Sequence, residues 1–169
     1  MRAEELMEMP TTAFRRLMSV LDGSFADYRV IDHEAEGETL RASDLRGHEP
    51  AQAAKCMVVQ VRRKAPTEHV TVLAVVPGDR RVDFKKVRRL FGGADASLAD
   101  RSLAERITGC VSGCVIPFAF DPGLHLVVDP ELLLHDEIYF NAARLDRSIA
   151  LGTEHFVALS EPRVAPIAR

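Results

Sequence analysis

From Thr11 onward the apolar positions alternate between helical and extended spacing, and the polar residues between them mark where one gives way to the other. Phe14, Leu17, Met18 and Leu21 recur at three- and four-residue steps behind Thr11 or Thr12, which predicts a core-facing helix capped by a threonine and stopped at Gly23. Residues 28–33 read as a strand, and 39–46 as a short helix ending at Gly47. Two apolar, β-branched runs, 55–64 and 69–76, are joined by a short Pro-containing turn and predict an antiparallel hairpin closed by Pro77-Gly78-Asp79. Behind Asp83, residues Phe84, Val87, Leu90 and Phe91 form one helical stripe, with Lys85, Lys86, Arg88 and Arg89 around it and Gly92-Gly93 as the stop. Asp100 begins a short helix through Arg106. Further on, 124–128 and 137–142 read as strands separated by a helical turn opened by Pro130. Residues 147–151 form the final strand, and Thr153 caps a helix that ends before Pro162.

Strands and helices do not alternate strictly in this order, so the fold class is mixed α/β (α+β), with a curled mixed β-sheet and helices packed around it rather than a doubly wound sheet. At 169 residues the chain fits a single domain over 1–169, and no repeat or low-complexity segment divides it. Hydrophobic content of 47% with 28% charged residues is that of a globular protein. No run reaches the roughly 20 apolar residues of a membrane span. The charged start Met1-Arg2-Ala3-Glu4-Glu5 lacks the apolar core of a signal peptide, so a cytoplasmic protein with no membrane partner is expected.

Net charge is −3, but its distribution is uneven. Arg62-Arg63-Lys64, Arg80-Arg81 and the helix bearing Lys85, Lys86, Arg88 and Arg89 gather positive charge in the middle third, where a phosphate backbone can be met; a solvated helix face gives the same pattern.

The stretch Gly109-Cys110-Val111-Ser112-Gly113-Cys114-Val115-Ile116-Pro117 carries the candidate chemistry. Two glycines four apart and a proline four later allow a sharp turn with a fixed exit. Such a loop either serves chain geometry alone or presents amides that cradle a carboxylate, a phosphate or a developing oxyanion. Lys55 is the one charge at the start of an apolar strand. The three cysteines cannot all pair, and Cys110 and Cys114 have no second Cys or His pair at zinc spacing, so neither a disulfide framework nor a metal site is expected. Nothing in the order of residues brings His125 or His135 to a cysteine, which argues against thiol hydrolysis. There is no G-x-S-x-G elbow and no P-loop. His33 beside Glu34 reads as a packed or exposed histidine rather than a catalyst.

Ala54-Lys55, Thr108-Gly109 through Gly113 to Pro117-Phe118, Leu126-Val127-Val128-Asp129 and Ile138-Tyr139-Phe140-Asn141-Ala142 resemble, in that order, the motifs of the YbaK/prolyl-tRNA editing domain family. Asp136-Glu137-Ile138 and Leu145-Asp146-Arg147-Ser148 are similar to its freestanding YeaK-like branch. Ala143 departs from the pattern, which has Gly there. The resemblance spans about 28–154 and implies a barrel-like mixed sheet and a cofactor-free aminoacyl-tRNA deacylase acting on tRNA of proline identity or a related small-amino-acid error. On this resemblance Lys55 and Gly113 are the catalytic candidates. Gly109, Ser112, Pro117 and Asn141 are the candidates for substrate binding, and Lys85, Lys86, Arg88 and Arg89 for tRNA binding. The implied partners are mischarged tRNA and a synthetase such as prolyl-tRNA synthetase, not DNA. A noncatalytic tRNA- or synthetase-associated module of the same fold is the alternative, favoured by Ala143.

Overall fold

The computed structural model describes residues 11–64 and 68–169. The charged start and the center of the Pro-containing turn lie outside them. Helix α1 (Thr12–Gly23) begins as its sequence demands: the Thr11 hydroxyl accepts from the Phe14 amide, and Ala13, Leu17 and Leu21 are buried on one stripe. Strand β1 (Tyr28–Asp32) and helix α2 (Thr39–Arg46) follow, then β2 (Ala54–Arg62) and β3 (His69–Pro77), paired antiparallel along their full length as the expected hairpin. Helix α3 (Phe84–Leu90) is capped by Asp83, whose carboxylate accepts from the amides of Lys85 and Lys86. Strand β4 (Asp95–Leu98), helix α4 (Arg101–Thr108), β5 (Leu124–Val128), β6 (Glu137–Asn141), β7 (Arg147–Gly152), helix α5 (Thr153–Ser160) and β8 (Arg163–Val164) complete the order. No helix among the described residues is long and apolar enough to cross a membrane.

The strands form two sheets instead of one. A five-stranded mixed sheet runs β4-β2-β3-β5-β8, and a three-stranded antiparallel sheet runs β1-β7-β6. They meet at the bridge between Ala53 and Tyr139, and no closed barrel is present among the described residues. Alternation along β3 sorts the core into two layers. Leu73 and Val75 face a cluster shared with Ile138, Phe140, Ile149 and Leu151 of the smaller sheet and with α1, whereas Val72, Ala74 and Val76 face one closed by Val87 of α3 and Ile167. With both faces covered, residues 72–76 of β3 are all fully buried.

Three local expectations need correction. Strands β4 and β8 were not read from the sequence; β4 is short and polar, and β8 has two residues. Strand β7 is consequently not the last. Thr153 is the first residue of α5, not its cap: Gly152 holds that position, and the Thr153 hydroxyl donates to the His135 carbonyl.

Asp129, at the end of the Leu126-Val127-Val128-Asp129 run, ties the C-terminal segment down. One carboxylate oxygen accepts from the Glu131 amide and the other from the amides of Ile167 and Ala168, at 2.8 to 2.9 Å. The side chain is 3% exposed. Charge-assisted bonds of this kind contribute about 1.5–3 kcal/mol each. Asp129→Ala is therefore expected to lower the melting temperature by about 6 °C or more, since 1 kcal/mol corresponds to about 2–4 °C at this size. A shift below about 2 °C by calorimetry would refute the structural role.

Candidate functional site

Strand β4 pairs only with the Val59–Arg62 half of β2, which leaves the edge of the first half without a strand partner. A cavity of about 260 Å³ is lined by that half. The rest of its wall comes from Thr39, Ala42 and Arg46 of α2, from the loop at Gly113 and Val115, and from Phe140 and Asn141 at the end of β6. Among the described residues no aspartate, glutamate or histidine lines it, and the two ionic groups there, Lys55 and Arg46, are both cationic.

Two glycines from distant segments close one side. A Cβ on Gly113 would lie 2.9 Å from the Gly37 Cα, and Gly113 has φ +91°, so this approach is open to glycine alone. Asn141 clamps the pair: its amide nitrogen donates to the Glu36 carbonyl (2.8 Å) and the Gly113 carbonyl (3.1 Å). Its amide oxygen accepts from Arg46 Nη1 (3.2 Å) and from the Ser148 hydroxyl (2.9 Å). Both donors and both lone pairs are thus taken by the chain itself. Asn141 and Ser148 are register partners on β6 and β7, which is why one face presents both. The backbone amide of Gly113 has no hydrogen-bond partner among the described residues.

Arg46 is largely buried with no carboxylate partner among the described residues, and this desolvation brings its pKa down to about 10, so it remains charged at neutral pH. Its Nε donates to His48 Nε2 at 2.9 Å, and its Nη1 also reaches Ser148 Oγ at 3.2 Å. His48 Nδ1 lies 2.8 Å from the Glu49 carbonyl and must donate to it, leaving Nε2 as the acceptor Arg46 needs. Burial lowers the His48 pKa to about 4, and its ring stacks on Tyr139 with centroids 3.7 Å apart. His33 joins through Nε2, 2.7 Å from Ser148 Oγ.

Lys55, Gly113 and Asn141, from three separate segments, line one cavity. The Lys55 ammonium extends to the Arg80 carbonyl at 3.4 Å. Gly109, Ser112 and Pro117 do not line it. Gly109 is the left-handed cap of α4, with φ +70°, and faces a separate groove beside α1. Ser112 is exposed and its amide donates to Glu105, while Pro117 is buried. Burial pushes all three thiols up, Cys114 to about 12, so none is a ready nucleophile at neutral pH.

On α3, Lys85, Lys86 and Arg89 are exposed, and Arg88 is half-buried with a buried Nε that has no partner. Lys86 Nζ donates to the Ala168 carbonyl, and Arg80 Nε to that of Arg169. The contacts Lys55 to Arg80, Arg80 to Arg169, and Ala168 to Lys86 therefore connect the cavity to the basic helix through the segment that Asp129 anchors.

Sequence reading missed Arg46, Gly37 and Ser148. Arg46 looks like any basic residue in the last turn of a helix, and its missing counter-charge is visible only in three dimensions. Ala143 has φ +58° and is buried. It holds the left-handed conformation that glycine adopts freely. The strain of about 1–2 kcal/mol is partly offset by about 0.8 kcal/mol from burying the methyl.

Residues 33–159 match the family model described as the aminoacyl-tRNA editing domain. The chain is 37% identical over 164 residues to the multifunctional Ser/Thr-tRNA deacylase ProXp-y of Escherichia coli strain K12, covering 96% of this chain and 97% of that protein, and equally so to that of strain O157:H7. In fold it is similar to the crystal structure of a hypothetical protein (22% identity, TM-score 0.79, covering 91% of this chain and 99% of that one). It is likewise similar to that of a candidate trans-editing enzyme for prolyl tRNA synthetase (24% identity, TM-score 0.77, covering 94% and 98%). The ordered motifs, the architecture and these matches agree that the chain belongs to the aminoacyl-tRNA editing domain family.

Proposed function

We propose that this protein is a freestanding, cytoplasmic aminoacyl-tRNA deacylase that removes a small, wrongly attached amino acid from tRNA. The observation that carries the reading is the cavity itself, which combines two cations with a loop glycine whose amide has no partner, and with no carboxylate or imidazole in its wall, among the described residues. Such a site stabilises negative charge on oxygen and leaves activation of water to the substrate. In the reaction, the oxygen of water bonds to the ester carbonyl carbon and the bond from that carbon to the ribose oxygen breaks. A proton passes from water to the departing oxygen by way of the neighboring ribose hydroxyl. Free amino acid and uncharged tRNA result.

In this reading the Gly113 amide donates to the carbonyl oxygen as it gains charge, and Lys55 at the rim holds the phosphate of the terminal nucleotide. Asn141 keeps the two glycine loops at the right separation, because its own hydrogen-bonding groups are filled. The basic strip from Lys55 past Arg80 to α3 supports a path for the acceptor end of the tRNA over Lys85, Lys86 and Arg89. The bridge at Ala53 supports the two sheets acting as one curled, barrel-like wall. The named activity of the E. coli relatives makes serine and threonine the first amino acids to test.

The test is deacylation of a panel of mischarged tRNAs, with binding measured in parallel. Hydrolysis is expected to survive EDTA and to fall by about 100-fold or more when the neighboring ribose hydroxyl is removed, the range for loss of a proton-transfer group. Binding is expected to outlast that deletion and to weaken with salt as Lys85, Lys86 and Arg89 exchange counterions. Salt-sensitive binding with no hydrolysis of any species would establish the noncatalytic module instead. Absence of any tRNA affinity would remove both readings.

A further inference from the structure

One cationic donor in the cavity has no duty in the scheme above. Arg46 commits Nε to His48 and Nη1 to Asn141 and Ser148, while Nη2 donates to no group among the described residues. Nor is Nη2 sealed off. Arg88 Nε is the one fully buried side-chain nitrogen or oxygen without a partner among the described residues, so Nη2 is not fully occluded, and Arg46 is part of the cavity wall. Three bonds hold the guanidinium in place, so its remaining N–H groups point in a set direction before any substrate arrives.

What Arg46 meets follows from charge and from the other polar groups. Lys55 extends to the Arg80 carbonyl, Asn141 is saturated, and the Gly113 amide is given to the ester carbonyl. Ala42, Ala53, Ala54 and Phe140 supply apolar wall. Among the described residues no carboxylate lines the cavity, so the α-ammonium of the amino acid is repelled by the guanidinium. The part of the amino acid that faces Arg46 must therefore offer an acceptor, and beyond the carbonyl only its side chain can do so.

We infer that Arg46 is the specificity-determining residue of this site, its free Nη2 donating to the side-chain oxygen of the bound amino acid and so selecting hydroxyl-bearing side chains over apolar ones of equal size. The inference rests on the deacylase reading and adds the group that chooses the substrate. A donor fixed in place is left unpaired by an analogue lacking the oxygen, which discriminates far better than an apolar pocket can, up to about 10⁴–10⁵-fold.

One tRNA charged in turn with threonine, valine, serine and alanine provides the test, with kcat/KM measured for the wild type, Arg46→Met and Arg46→Lys. The wild type is expected to prefer threonine over its isostere valine by about 100-fold or more. In Arg46→Met that ratio falls to about 10-fold or less, because the loss on threonine exceeds the loss on valine. Arg46→Lys, which keeps a donor but not the fork, falls between. Equal loss on threonine and valine would overturn the inference by giving Arg46 to the ester or the scaffold. Should Arg46→Met fail to fold, the wild type still decides: a threonine-to-valine ratio below about 10 overturns the inference while leaving the deacylase reading intact. Failure to hydrolyse any of the four, or any other mischarged tRNA, overturns both.

Discussion

Replacing Lys55 by methionine is expected to reduce kcat/KM for a mischarged tRNA by about 100-fold or more while moving stability by less than about 1 kcal/mol. The asymmetry comes from where the side chain lies. Its stem shares a strand face with Met57, Val59 and Val61, so methionine preserves that packing, whereas the ammonium makes a single 3.4 Å contact with the Arg80 carbonyl. A charge held that loosely contributes little to folding, and in the proposed reading it meets a phosphate at a cavity that no acidic residue among the described residues lines. Deacylation by Lys55→Met at wild-type rates, with a matched thermal profile, would remove Lys55 from the site.

Gly113→Val is expected to be the most damaging single change in the loop, with loss of activity and of about 2–4 kcal/mol of stability. Its Cβ would stand 2.9 Å from the Gly37 backbone in a conformation that a branched residue resists, so either loop must move and Asn141 loses one of the carbonyls it holds. Cys114→Ala, one residue on, removes only a buried thiol and is expected to cost about 1–2 kcal/mol with activity retained. The measurement is deacylation and chemical denaturation of both variants. Equal loss of activity, or inactivation by a thiol-alkylating reagent that Cys114→Ala prevents, would return the chemistry to the cysteine.

Periodicity made most elements legible because their apolar faces are continuous: α1, α3 and the β2/β3 hairpin stand where the spacing put them. The elements it missed have no such face. Strand β4 is a polar edge over Arg62 and its neighbors, and β8 is two residues beside β5, with Asp129 holding the chain just beyond it. A second kind of blindness affected the cavity. Lys55, Gly113 and Asn141 each break a local pattern, as a charge in an apolar strand, a glycine in a loop and an amide ending a buried strand. Arg46 and Gly37 break none. What distinguishes them is a partner that is absent and a backbone that is near, and both are properties of tertiary neighbors. The split into two sheets was hidden for a related reason, since the Ala53 bridge to Tyr139 joins segments whose own patterns are ordinary.

The contact of Gly37 with Gly113, clamped by Asn141, also sets when the site comes into being. Its parts lie early, midway and late in the chain, and the Ser148 hydroxyl that braces Asn141 and Arg46 comes later still. During synthesis, α1, α2 and the β2/β3 hairpin can form as they leave the ribosome, because their contacts are local or nearly so. The cavity cannot. Until β6 and β7 have emerged and paired, the two glycine loops have nothing to hold them together and Arg46 has no brace. The cavity is therefore completed in one late step, and a chain that stalls or is cut before Ser148 lacks the hydroxyl that braces Asn141 and Arg46, however much of its secondary structure it has already made.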